Sequence, residues 1–216
     1  MLRAYGRFPS PERGQKRFLI RDAIRASAKP RSRLWECPAW LDQMAEGSCV
    51  GHAVAHELAA QPMQAAVSSK LARRIYRAAQ KIDTIPGEAY EGTTVDAGMR
   101  AAAAMGYYDE WRWAYNLEDL ILGLSHRGPA VIGVNWYRGM EKPRDGFIFP
   151  TGRHLGGHAI AVIGYNQPSN FFRLRNSWGK DWGLNGDCFI FAHTLDLLMR
   201  RQGEAAIPII RKDGHT

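Results

Sequence analysis

The sequence predicts an α+β chain of two lobes, helical first and strand-rich second. Three observations predict it. Apolar residues recur at helical spacing between residues 48 and 126. From Pro129 onward, short β-branched and aromatic runs are split by Gly, Pro and Asn turns. The 216 residues, 45% of them hydrophobic, suffice for one large domain or two small lobes around a shared cleft, and they contain no internal repeat. The change of texture divides the chain into an N-terminal arm over residues 1–34, a helical lobe over 35–127 and a β-rich lobe over 128–216.

The arm holds ten of the chain's 29 Lys/Arg but only two of its 21 Asp/Glu. Its excess of eight equals the whole net charge of +8, so the remainder of the chain is neutral. Such a segment reads as a leader wrapped over its own domain. The same charge also suits an acidic or nucleic-acid partner, or an import receptor. One short helix is expected near Phe18–Ser27, and Pro30 and Pro38 keep the stretch after it extended.

In the helical lobe, SCVGHAVAHELAAQ (48–61) reads as a helix with Ser48 as N-cap and Pro62 as stop. A second helix is expected over 68–81, with Leu71, Ile75 and Ala78 or Ala79 on one face. A third spans 93–105, capped by Thr93 or Thr94, and a fourth runs roughly over 117–126. The expected strands are AVIGVNW, GFIFP, HAIAVIGYN, FFRLRNSW and DCFIFA. The aromatic run Tyr107, Tyr108, Trp111, Trp113, Tyr115 reads as lobe packing, and Arg73, Arg74 and Arg77 as a solvated helix face.

Four residues suggest chemistry. A thiol attacks as its thiolate, and the first turn of a helix favours negative charge, so Cys49 is placed to be a nucleophile. A neighbouring imidazolium would lower its pKa further. His158 opens a strand of the second lobe, from which it can take the thiol proton and later protonate a leaving amine. His154 is a nearby competitor in the turn-like TGRHLGG segment. The Asn176 side-chain oxygen can orient the imidazole, and Trp178 can cover that bond from water. Gln43, just upstream of the nucleophile helix, offers an amide N–H to a developing oxyanion together with the Cys49 backbone N–H.

These segments resemble the papain-like, C1-type cysteine peptidases. Asp42-Gln43 followed by Gly47-Ser48-Cys49 is similar to the family's nucleophile segment. Gly157-His158 through Gly164-Tyr165 is similar to its histidine strand, and Asn176-Ser177-Trp178-Gly179 through Trp182-Gly183 and Gly186 to its asparagine segment. The resemblance covers roughly residues 35–192. It implies a helical left lobe, an antiparallel β-rich right lobe and an active-site cleft between them. It implies a cysteine endopeptidase acting on polypeptides through a thioester on Cys49, with His158 as base and acid, Asn176 as orienter and Gln43 as oxyanion donor. Trp182 then walls the leaving-group side, and Gly92 lies in the loop that runs along the substrate backbone. Three departures stand out. Glu46 replaces a disulfide-forming Cys, Val50 replaces an aromatic residue, and Met44 replaces a Gly. The long propeptide of secreted members is also not expected, leaving the arm either without a role in latency or acting as a short plug.

The other readings are of different classes. An amidase or transpeptidase would use the same machinery with another acceptor. A catalytically silent binding module would be anchored by the basic arm. His52 and His56 share a helix face with Cys49 in a geometry able to bind zinc, but Glu57 follows the second His, so the pattern is not HExxH and no metal or cofactor is expected. No apolar run approaches the roughly 20 residues a membrane helix needs, and no secretory signal is visible. Three cysteines in no CxxC pattern suit a reducing compartment. Together these suggest a cytoplasmic protein of a bacterial or phage-infected cell, with organellar import as the alternative.

Overall fold

A computed structural model describes residues 3–10, 18–85 and 90–209. Residues 1–2 and 11–17 of the arm and 210–216 of the second lobe lie outside the described residues.

The first helix, α1 (Cys49–Ala59), is buried along its whole length. Its composition, CVGHAVAHELA, is mostly apolar, and its His52, His56 and Glu57 are buried with the rest, which suits a helix wrapped on all sides. By contrast α2 (Ser69–Ile82) buries Ala72, Ile75, Tyr76 and Ala79 and turns its Lys and Arg outward. Arg73 of this face reaches Glu46 at 3.2 Å. The expected starts are set by side-chain caps. Ser68 Oγ accepts from Leu71 N, Thr94 Oγ1 caps α3 (Val95–Ala104), and Asn116 Oδ1 caps α4 (Leu117–His126). Ser48 flanks α1 but makes no such cap; its hydroxyl lies 3.2 Å from His52 Nδ1. The short helix expected at 18–27 is a single 3-10 turn, Ile20–Ala23.

Among the described residues the strands are β1 (Arg7–Phe8), β2 (Arg33–Leu34), β3 (Thr93–Thr94), β4 (Glu110–Ala114), β5 (Ala130–Tyr137), β6 (His154–Asn166), β7 (Phe171–Arg175), β8 (Asp187–Phe191) and β9 (Glu204–Ile209). Six form an antiparallel path, β4-β9-β5-β6-β7-β8, and β2 pairs with β6 off that path. The chain turn near 127 separates α4 from β5, yet β2 and β4 join the sheet from upstream of it. β4 contains Trp111 and Trp113 of the aromatic run, and Tyr108 and Trp113 are buried in the helical-lobe core. GFIFP forms no strand of its own, only bridges at Phe147. His154 stands at the start of β6 and not in a turn, because its stretch still pairs with Tyr137. The fold also contains α5 (Ala192–Arg200) and β9, which the sequence pattern did not suggest.

Among the described residues two large apolar cores result, with two smaller clusters around Trp35 and Leu41. One gathers Val50, Val54, Leu58, Ile75 and Met99 of the helices against Val131, Ala159 and Ala206 of the sheet. The other fills the sheet's far side around Trp136, Phe172, Ile190 and Leu195. The seam between the first core and β6 sets Cys49, at the start of α1, against the strand that carries His158.

Stability should therefore depend on pH in two opposed ways. Burial lowers the pKa of His52, His56 and His158, the last to about 4. Each stays neutral when folded, so its share of stability is present above the unfolded value of about 6.5 and is lost as pH falls below it. Burial raises the Glu57 carboxyl to about 8. Its share is present below the unfolded carboxylate value and is lost as pH rises toward 8. Between pH 6.5 and 8 only Glu57 contributes among these four, and thermal melts should show a fall of up to about 2 kcal/mol. Glu57→Gln should flatten that limb and leave the acid limb in place.

Candidate active site

The imidazole of His158 is fully buried, and its Nε2 lies 2.9 Å from Asn176 Oδ1. The same oxygen accepts from Ser177 N at 2.8 Å, which fixes the amide's orientation. An acceptor at Nε2 requires that this nitrogen carry the proton in the neutral ring. Nδ1 is then the basic nitrogen, and it is buried with no hydrogen-bond partner. Trp178 lies tilted beside the ring at 5.0 Å, and Trp136 meets both rings edge-on at 4.7 and 5.4 Å. Trp182 packs perpendicular to Trp178 at 5.1 Å and donates Nε1–H to Glu141 O. Trp178 thus covers the His–Asn pair, Trp182 buttresses Trp178, and Trp136 is an aromatic partner that the sequence did not single out.

Gln43 is held from two sides. Its Oε1 accepts from Ser177 Oγ at 2.6 Å, and its backbone N–H donates to Ser177 O. The segment before it is pinned where Leu41 N donates to His56 Nε2 at 3.0 Å. His52 and His56 therefore serve the α1 scaffold, through Ser48 and Leu41 respectively. Among the described residues no three metal-ligating side chains converge. Met44, standing where the family has Gly, adopts φ 55. Its N–H donates to Asp42 Oδ1 at 2.7 Å, which holds a turn that a residue with a Cβ resists by about 1–2 kcal/mol.

The cleft is filled by the arm. Gln43 Nε2 donates to Ala4 O at 3.2 Å and to Glu46 O at 2.8 Å. Tyr5 packs edge-on to His158 at 6.1 Å and donates to Glu141 Oε1. Gly6 faces the Cys49 thiol through its backbone N–H, and its carbonyl accepts from Thr93 N at 2.8 Å. Arg7 and Phe8 pair in parallel with Thr93 and Thr94. Arg3 lies over Trp178 at 4.2 Å. Gly92 adopts φ 134, and a Cβ there would collide with Gly6 O, so this glycine admits an extended backbone beside it.

Burial by these contacts inverts the expected electrostatics. Cys49 is completely buried, and desolvation pushes its thiol above the ordinary value although backbone hydrogen bonds from Ala159, Gly6 and Val50 oppose it. Desolvation likewise holds His158 at about 4, against the Asn176 bond and aided by the Arg3 charge. The helix terminus does not win, because removing a charge from water outweighs a terminal half-charge. Both shifts favour the uncharged thiol and the uncharged imidazole.

Some of the arm's described cations meet the chain's own body. Arg7 pairs with Glu204, Arg21 with Glu118 and Asp119, and Arg33 stacks on Trp35. The three cysteines are free and buried, and no described helix is long and apolar enough to cross a membrane.

Comparison with known proteins places this geometry. A family model described as papain family cysteine protease matches residues 70–194, which include His158 and Asn176 but not Gln43 or Cys49. Mouse cathepsin F is 28% identical over 118 residues, 51% of this chain but only 25% of that protein. Among solved structures, xylellain, a cysteine protease from Xylella fastidiosa, superposes with a TM-score of 0.73 at 19% identity over 98% of this chain and 99% of that one. Bromelain from Ananas comosus, solved in complex with the E64 inhibitor, superposes with a TM-score of 0.61 at 16% identity over 85% and 100%. The chain has the papain-like α+β fold, and with more than half its length matched by the family model it belongs to the papain family of cysteine proteases.

Proposed function

We propose that the protein is a cysteine endopeptidase held latent by its own N-terminal arm. The observation that carries this reading is the His158–Asn176 pair, whose free ring nitrogen stands beside the strand position that touches Cys49. Once the arm is displaced, water restores charge to both groups and His158 Nδ1 takes the Cys49 proton. The thiolate adds to a peptide carbonyl carbon, and its oxygen takes up the charge. Gln43 Nε2 and the Cys49 N–H stabilise that oxyanion. Collapse breaks the C–N bond, His158 gives its proton to the leaving amine, and a thioester remains on Cys49. Water, deprotonated by His158, then releases the acid and regenerates the thiol. Asn176 holds the ring in the tautomer that both transfers need. Three free thiols support work in a reducing compartment such as the cytoplasm.

The arm is a poor substrate for this chemistry. The thiol faces an N–H, while the carbonyl at Gln43 belongs to Ala4, two residues away.

The test is labelling with E64, the ligand of the bromelain structure, followed by peptide mapping. Modification of Cys49 alone, lost in His158→Ala, is expected. Cys49→Ala should abolish peptide hydrolysis and keep the melting profile. Wild-type hydrolysis by Cys49→Ala would end the assignment.

A further inference from the structure

We propose that Asp83 is a positioning residue that keeps β3 in register against whatever chain lies in the cleft, the arm at first and a peptide substrate once the arm has left. The inference rests on the peptidase reading for its substrate half alone. β3 has only two residues, Thr93 and Thr94, and among the described residues its one strand partner is Arg7–Phe8 of the arm. Thr93 N also donates to Gly6 O at 2.8 Å. The occupant of the cleft is therefore what gives β3 a ladder. When the cleft empties, side-chain bonds must keep the strand in place.

One carboxylate bears on both ends of this segment. Asp83 follows the last residue of α2, and its N–H donates to Ala79 O at 2.9 Å, which fixes it to the helix end. Its Oδ1 accepts from Tyr90 Oη at 2.6 Å and from Ile85 N at 3.1 Å. Its Oδ2 accepts from Thr93 Oγ1 at 2.7 Å. The two hydroxyls come from either side of Gly92, so Asp83 grips the chain before and after its glycine. Such bonds to a carboxylate are roughly twice as strong as neutral ones. Desolvation, and then the Asp83 bond, push the Tyr90 phenol up to about 12, so it keeps the proton that it donates. Gly92 adds no stiffness of its own at φ 134; its N–H donates to Tyr76 Oη at 2.9 Å. No disulfide ties the segment down, since Cys37, Cys49 and Cys188 are free. Tyr90 also meets Phe8 of the arm edge-on at 5.8 Å, so the same carboxylate orders a side-chain contact with the occupant.

The experiment is Asp83→Ala, read in two backgrounds. In the otherwise unaltered full chain, alkylation of Cys49 by iodoacetamide requires the arm to move aside. It should accelerate about tenfold, the fold-change of one lost hydrogen bond to a charged group. The second background carries Gly6→Ala, whose Cβ would overlap Gly47 O and so expels the arm. There KM for an acetyl-tripeptide coumarin amide should rise about tenfold while kcat holds, because Asp83 acts on the bound backbone and on no reacting atom. Asp83→Asn keeps an acceptor for Tyr90 and offers a donor to Thr93 Oγ1, so it should restore most of both effects. Unchanged alkylation or an unchanged KM overturns the proposal. So does a fall in kcat at constant KM, which is what a general support of the fold would give. Should Asp83→Ala fail to fold by circular dichroism, Tyr90→Phe with Thr93→Val removes the same two hydroxyls and is read the same way. Faster alkylation with no hydrolysis in either background would end the peptidase reading and leave Asp83 as the residue that seats the arm.

Discussion

Gly6→Ala is expected to switch the protein on. A Cβ at this position would overlap the Gly47 carbonyl, and the Gly47 Cα and carbonyl carbon lie behind it. All three are backbone atoms next to α1, so no rotamer change can make room. Overpacking of this kind costs about 1–3 kcal/mol, and here the cheapest relief is withdrawal of the arm. Tethered only at its other contacts, the arm should then leave Cys49 open for most of the time. E64 labelling of Cys49 should accelerate at least about tenfold, since each 1.4 kcal/mol is a factor of ten. With water readmitted, the desolvation that now holds His158 near 4 weakens, and its titration should move up toward the ordinary histidine range. The substitution touches none of the proposed catalytic side chains, so faster labelling reports access alone. Unchanged labelling would mean that the arm does not limit the site.

Gln43→Ala should have the opposite sign and a larger size. Measured in the Gly6→Ala background, kcat/KM for peptide hydrolysis should drop by about 10²–10³, the usual effect of losing one oxyanion donor. Removing the amide also frees Ser177 Oγ, which now donates to Gln43 Oε1. A merely structural role would therefore disturb Asn176 and the imidazole as well. Alkylation by iodoacetamide separates the two cases, because it needs the thiolate but builds no oxyanion. Its rate should change little in Gln43→Ala if the amide acts on the transition state. A parallel collapse of alkylation would instead make Gln43 a support for the His–Asn pair.

Much of this was written locally. Ser68, Thr94 and Asn116 each cap a helix within three residues of themselves, so those starts could be read without knowing what packs on them. The segments around Cys49, His158 and Asn176 could be read for a similar reason: each is a short run whose residue types fit one chemical task. β9 was not legible, because EAAIPI carries a proline at 208 and no alternation; only its place between β4 and β5 makes it a strand. Nor was β4, whose tryptophans look like any aromatic run until β9 lies beside them. Gly92 stood in the sequence without a flanking motif, and only the passage of Gly6 beside it shows what its missing Cβ permits.

The sequence by itself picked out the groups of the candidate site: a thiol at the start of a helix, an imidazole on a strand, an amide beside it and another proposed to meet an oxyanion. The tertiary structure decided their state. Arg7 and Glu204 lie 197 residues apart, Gln43 and Ala4 39, and no pattern within a segment announces either contact. Burial is the sum of everything that happens to surround an atom. Ionisation follows burial: it pushes the Cys49 thiol up and the His158 imidazole down, and the basic arm that looked like a solvated leader packs against both.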